Sequence, residues 1–215
     1  MFVKSLALTA GLFCSVFLLS SCSSMSSAPV VKDQAPAFAT NCLAVLPATS
    51  SVQFDESVPP AEKEQLEDGV LVLDRILGKY FISRSDVRLV SDGQISGMDK
   101  DLPAKPLARA RVIADRLSCN AVLETTLRRY KDREGGQYTA QNPASVAFEY
   151  RLIAIPEGTV LCRGAFDETQ QSLMENLLSF HSARERGFSW ITSEQLMKEG
   201  VRDRFKECSY LAPKK

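Results

Sequence analysis

The chain has 215 residues, with 26 Lys and Arg against 26 Asp and Glu, a single histidine and 45% hydrophobic residues. So even a balance lacks the concentrated basic excess that binding to a phosphate backbone requires, so nucleic acid is not an expected partner. The length suits one domain with a sizeable core.

The first element is an address. Lys4 supplies a positive start, Leu6 to Leu19 an apolar core too short to span a bilayer comfortably, and Ser20 and Ser21 two small residues before Cys22. The exit from Ser20 to Ser27 is polar and lacks the positive flank of a stop-transfer helix. The run Leu19-Ser20-Ser21-Cys22 resembles the lipobox of bacterial lipoproteins, in which the cysteine thiol becomes a thioether to diacylglycerol and, after cleavage, the new amino terminus. That resemblance implies a signal peptide over residues 1–21 and lipidation at Cys22. Ser23 stands where enteric lipoproteins kept in the inner membrane carry Asp, which implies the outer membrane. Acyl chains then anchor the protein without spanning the membrane. Residues 22–40, rich in serine, alanine and proline, read as a flexible tether with a reach of roughly 25 Å. A single periplasmic domain over residues 41–211 follows, then a short tail over 212–215.

Within the domain, Cys42 to Pro47 reads as a buried strand, continuous in apolar residues and ended by proline. Pro59-Pro60 opens a helix in which Leu66, Val70, Leu73, Leu77 and Tyr80 recur at helical spacing, so one face is buried. Val87 to Val90 is a second strand, stopped by Asp92-Gly93, a turn dipeptide. Pro106 begins a helix lined by Leu107, Ala110, Ala114 and Leu117. Ala121 to Arg133, Val146 to Ile155 and Thr159 to Phe166 read as three further strands, the middle one placing Val146, Phe148, Tyr150, Leu152 and Ala154 on one face. Gly135-Gly136 and Asn142-Pro143 mark a long hairpin, and Pro156-Glu157-Gly158 the next reversal. From Gln170 a helix carries Leu173, Leu177, Leu178 and Phe180 until Gly187 breaks it. Thr192 to Gln195 has the form of a capping box for a last helix through Leu196 and Phe205 to Cys208.

The expected fold is therefore α/β: a mixed five-stranded sheet, β-α-β-α-β followed by an antiparallel meander and terminal helices. The opening CLAVLPAT, the step ending RLVSDGQ, the step RLSCNAVLETTL and the meander ending TVLCRGAFDET resemble lipoproteins with a domain like the amino-terminal domain of TolB. These include curli-secretion, penicillin-binding-protein activator and polysaccharide-export accessory lipoproteins. The resemblance spans most of residues 41 to 170 and implies a noncatalytic role in supporting a cell-envelope or export complex, with a homo-oligomer as one form. A peptidoglycan-synthase activator is the alternative, weakened because the tether extends at most about 65 Å. An envelope hydrolase is a further alternative of a different class.

Catalytic chemistry is thin in the sequence. His181, the only histidine, has neither a GxSxG elbow nor a nearby cysteine, and reads as structural. No Walker A loop or GxGxxG occurs, and no cysteine pair has zinc-ligand spacing, so neither cofactor nor metal is expected. Asp55, Glu56, Glu62, Glu64, Glu67 and Asp68 are read as favouring the start of a helix dipole over holding calcium. The run from Arg128 to Arg133 is the one surface candidate: Arg129 and Lys131 share a face that serves either a polyanionic partner or ordinary edge protection and solvation. Trp190 reads as a core aromatic in preference to an interface anchor. Cys42, Cys119, Cys162 and Cys208 form an even set in an exported chain, and two disulfides are expected. Three pairings are open; parallel neighbouring strands favour Cys42 with Cys119, leaving Cys162 for Cys208, and four buried thiols are the other reading.

Overall fold

The computed structural model describes residues 38–52, 58–98, 101–136, 140–170 and 190–213. The signal peptide, Cys22, nearly all of the tether, Asp55, Glu56, the helix expected after Gln170 and His181 lie outside the described residues.

Strand β1 (Leu43–Val45) is buried along its whole length, as its unbroken apolar run requires. Helix α1 (Pro60–Tyr80) starts with proline, carries Glu62 in its first turn, and buries Leu66, Leu73, Ile76 and Leu77. It returns the chain to β3 (Val87–Leu89), parallel to β1. After β3 come the short helix α2 (Asp92–Met98) and α3 (Pro106–Leu117), which lead into β4 (Ala121–Lys131), parallel to the other side of β1. Two long antiparallel strands, β7 (Ser145–Ala154) and β8 (Val160–Thr169), complete the meander, and α4 (Ser193–Phe205) ends the fold. The sheet order is β3-β1-β4-β7-β8.

Three features depart from the expectation. Among the described residues the sheet has six strands, because β2 (Thr49–Ser50) also pairs with β4 in parallel. The 11-residue β4 outruns the three-residue β1, and the chain continuing past Pro47 fills that free edge, setting Thr49 opposite Thr126. The long hairpin holds its own ribbon, β5 (Glu134–Gly135) with β6 (Ala140–Asn142). Asp92-Gly93 opens α2 instead of stopping the chain in a turn. Ser91 and Gln94 cap it reciprocally, the Ser91 hydroxyl accepting from the Gln94 amide at 3.3 Å and the Gln94 side chain from the Ser91 amide at 2.9 Å.

One face of the sheet buries Leu43, Leu123, Leu127, Phe148 and Leu152 beneath α1 and α4. The other face packs Ala44, Val122 and Ile153 against Ala110, Ile113 and Ala114 of α3. Leu107, expected on the buried side of α3, is exposed at its first turn. Helix α1 approaches the sheet closely at Gly69, where an added Cβ would lie 2.6 Å from the Tyr130 ring. Helix α4 does the same at Gly200, 2.7 Å from the Phe166 ring. Thr192 caps α4 as the sequence predicts, with Thr192 and Gln195 bonded both ways. The helix ends at Phe205, and Cys208 lies in the turn beyond it. The chain end is fastened by Arg84, whose buried guanidinium pairs with Asp86 at 2.7 Å and donates to the Tyr210 carbonyl at 2.7 Å.

Candidate functional site

Strands β1 and β3 are parallel neighbours whose following connections pack on opposite faces: α1 on one, α2 and α3 on the other. Diverging connections of this kind leave a crevice at the carboxyl ends of the strands, the usual ligand position in α/β sheets. A crevice of about 270 Å³ opens there. Val45, Leu46, Leu77 and Leu89 form apolar walls, and Asp74 of α1 and Asp92 of α2 bring the charge.

Asp74 lies on the inner face of α1, four residues after Val70 and three before Leu77. Its Oδ1 accepts from the Ala48 amide at 2.8 Å. Burial pushes its carboxyl up to about 6; the Ala48 bond works against that rise and the nearby Asp92 adds to it. No Lys or Arg pairs with either carboxylate among the described residues. The sequence reading passed over Asp74. An acidic residue inside an apolar helical stripe was the signal that could have found it.

The expected surface run lies at the far end of β4. A bulge after Leu127 shifts the alternation, so that Tyr130 joins Leu127 against α1 while Arg129 and Lys131 face the other side. Most of the run is committed to the fold. Arg128 pairs with Glu149 at 3.2 Å. Arg129 donates to Ser145 at 2.6 Å and pairs with Asp167 on β8, tying three strands together. The Asp132 carboxylate accepts from the Ser193 amide at the start of α4, and Arg133 donates to the Trp190 carbonyl. Lys131 is exposed and makes no side-chain bond among the described residues. Arg129 is therefore a structural side chain as well as a surface one, a role beyond the partner contact or the edge protection and solvation expected from the sequence. Beside it, Arg151 and Glu124 pair at 2.8 Å, so this sheet face beyond α3 is a ladder of alternating charge.

The four cysteines are joined as Cys42–Cys119, with Cα atoms 4.4 Å apart, and Cys162–Cys208, 6.2 Å apart. Trp190 is half-buried before α4. Among the described residues, no group of three or more His, Cys, Asp or Glu side chains could hold a metal ion, and no helix is long and apolar enough to cross a membrane.

No protein-family model and no curated protein matches the chain. Among solved structures it is similar to the PelC dodecamer from Paraburkholderia phytofirmans, at 16% identity and TM-score 0.43, covering 81% of this chain and 89% of that one. It is similar to lipoprotein GNA1162 from Neisseria meningitidis, at 14% identity and TM-score 0.37, covering 68% and 97%. It is also similar to the LpoB C-terminal domain from Escherichia coli, at 15% identity and TM-score 0.34, covering 63% and 88%. A lipoprotein thus stands among its structural neighbours.

Proposed function

We propose that this chain is a noncatalytic accessory lipoprotein of the bacterial cell envelope, anchored through Cys22 to the periplasmic face of the outer membrane and supporting the assembly or function of an envelope or export complex. The observation that carries the reading is the run Leu19-Ser20-Ser21-Cys22, closing a short apolar segment and followed by a small-residue tether. Two disulfides support it, since such bonds persist in oxidising, exported compartments. The open charged ladder around Arg129 and Lys131 is the surface we assign to meeting a partner in that complex.

Acyl labelling in cells tests the anchor. The wild-type chain takes up labelled palmitate and fractionates with the outer membrane; Cys22→Ala loses the label and no longer fractionates with the outer membrane. Undiminished labelling and retention of that variant would defeat the reading. Lys131→Glu tests the partner surface, because Lys131 makes no side-chain bond among the described residues and exposed charges contribute little to stability. Unchanged cross-linking to a partner in cells would remove Lys131 from the interface.

A further inference from the structure

Asp74 places a negative charge where the fold needs only an oxygen. Its Oδ1 holds the Ala48 amide, a bond an asparagine oxygen would make equally well. Yet the residue is an acid, half-buried, beside a second acid and with no cation of its own chain paired to it among the described residues. A charge desolvated without a partner marks a place where one is supplied from outside.

We propose that the crevice between β1 and β3 receives the lysine side chain of a partner protein, its methylene stem lying between Val45, Leu46, Leu77 and Leu89 and its ammonium meeting Asp74. The inference takes the partner to be an envelope protein, and in that respect rests on the function proposed above. The space, about 270 Å³, falls below the roughly 300–1,000 Å³ typical of pockets for cofactors and drug-sized ligands, and suits one inserted side chain. Lysine fits better than arginine. One Asp74 oxygen is already engaged by Ala48, so a two-pronged guanidinium contact is not on offer, whereas a point-like ammonium needs only the second oxygen. A protein fits better than a free amine, because Leu89 stands half exposed on edge strand β3 at the mouth, where a docked surface would cover it.

The test begins with the full chain in detergent and two probes of equal length, n-pentylamine and n-pentanol, followed by the amide resonances of Ala48 and Ser91. The amine is expected to bind about tenfold more tightly than the alcohol. The groups acting on Asp74 are Asp92 from α2 and the Ala48 amide from the loop after β1. A carboxylate titrating near 6 is almost fully ionised at about pH 7.5 and only about one-tenth ionised at about pH 5, so amine affinity should fall about tenfold between them. Asp74→Asn should weaken the amine about tenfold and abolish that pH dependence. Equal binding of amine and alcohol, or unchanged amine binding by Asp74→Asn, would overturn the site.

The partner is tested in cells with a carbodiimide, which activates the Asp74 carboxyl; attack by a lysine amine in contact forms an amide and releases the urea. Peptide mapping should recover Asp74 bonded to a lysine of another protein, and Asp74→Asn should lose that product. Recovery of no such bond, or of one only to a lysine of this chain, would overturn the protein partner. Amine binding with failed Cys22 labelling would sink the envelope reading and leave the crevice standing.

Discussion

Asp74 and Arg84 are both charged, both drawn inward, and opposite in what they do for the fold. The Asp74 carboxyl titrates near 6 in the folded chain against an ordinary 3.8, so between those values the folded state binds the proton more tightly. Stability therefore rises as pH falls through 6 towards 4, and above that window the ionised side chain detracts from folding. Asp74→Asn should raise the melting temperature at about pH 7.5, with the gain shrinking to nothing near pH 4. Equal melting temperatures at the higher pH, or a gain that grows on acidification, would contradict this. Arg84 is the reverse case. Its side chain is 2% exposed, it pairs with Asp86, and it holds the Tyr210 carbonyl. Arg84→Met removes a buried guanidinium from which both that carboxylate and that carbonyl accept, and losing buried hydrogen bonds of this kind typically costs about 1–3 kcal/mol. Urea unfolding measures it; a loss under about 1 kcal/mol would mean that water replaces the guanidinium freely. Neither residue stood out in the sequence. A charged residue declares its partner only when distant segments meet, and Arg84 lies 126 positions from the carbonyl it holds.

At the scale of elements, legibility followed locality. Thr192 and Gln195 were read as a capping box because both halves of the motif lie within one turn, and the structure closes both bonds. Ser91-Asp92-Gly93-Gln94 carries the same spacing, but the turn dipeptide Asp92-Gly93 inside it hides the capping motif that starts α2. Parallel β1, β3 and β4 were readable from proline-started helices between apolar runs, whereas β2 was not, because two residues carry no period. The helix glycines were equally silent. Gly69 and Gly200 look like weak points in α1 and α4, yet each lets its helix lie against an aromatic ring of the sheet. Alanine at either gains about 1 kcal/mol of helix propensity but forces overpacking that typically costs about 1–3 kcal/mol. A net loss in denaturant midpoint is expected for Gly69→Ala and for Gly200→Ala. A gain in either variant would show that the ring moves aside easily.

For the molecule as a whole, the two disulfides join segments 77 and 46 residues apart and reach both ends of the domain. The chain-entropy account gives about 4 kcal/mol or slightly more for closures of this length, and disulfides typically deliver about 2–4 kcal/mol. Nonreducing peptide mapping of the exported protein should return Cys42–Cys119 and Cys162–Cys208, and paired serine substitutions should lower stability by an amount in that range. Recovery of Cys42–Cys162, or of free thiols, would refute the arrangement. The first of these bonds also decides how the domain bears a mechanical load. Any pull arriving from residues before Phe38 meets Asn41 and Cys42, whose amides both donate to the Asn120 side chain, and then the covalent link to Cys119. Tension is thus diverted around the three-residue β1 and delivered to the root of β4, a strand paired with β7 almost from end to end. A domain tugged at its leading edge in this way resists peeling, because the short β1 is never asked to hold the rope.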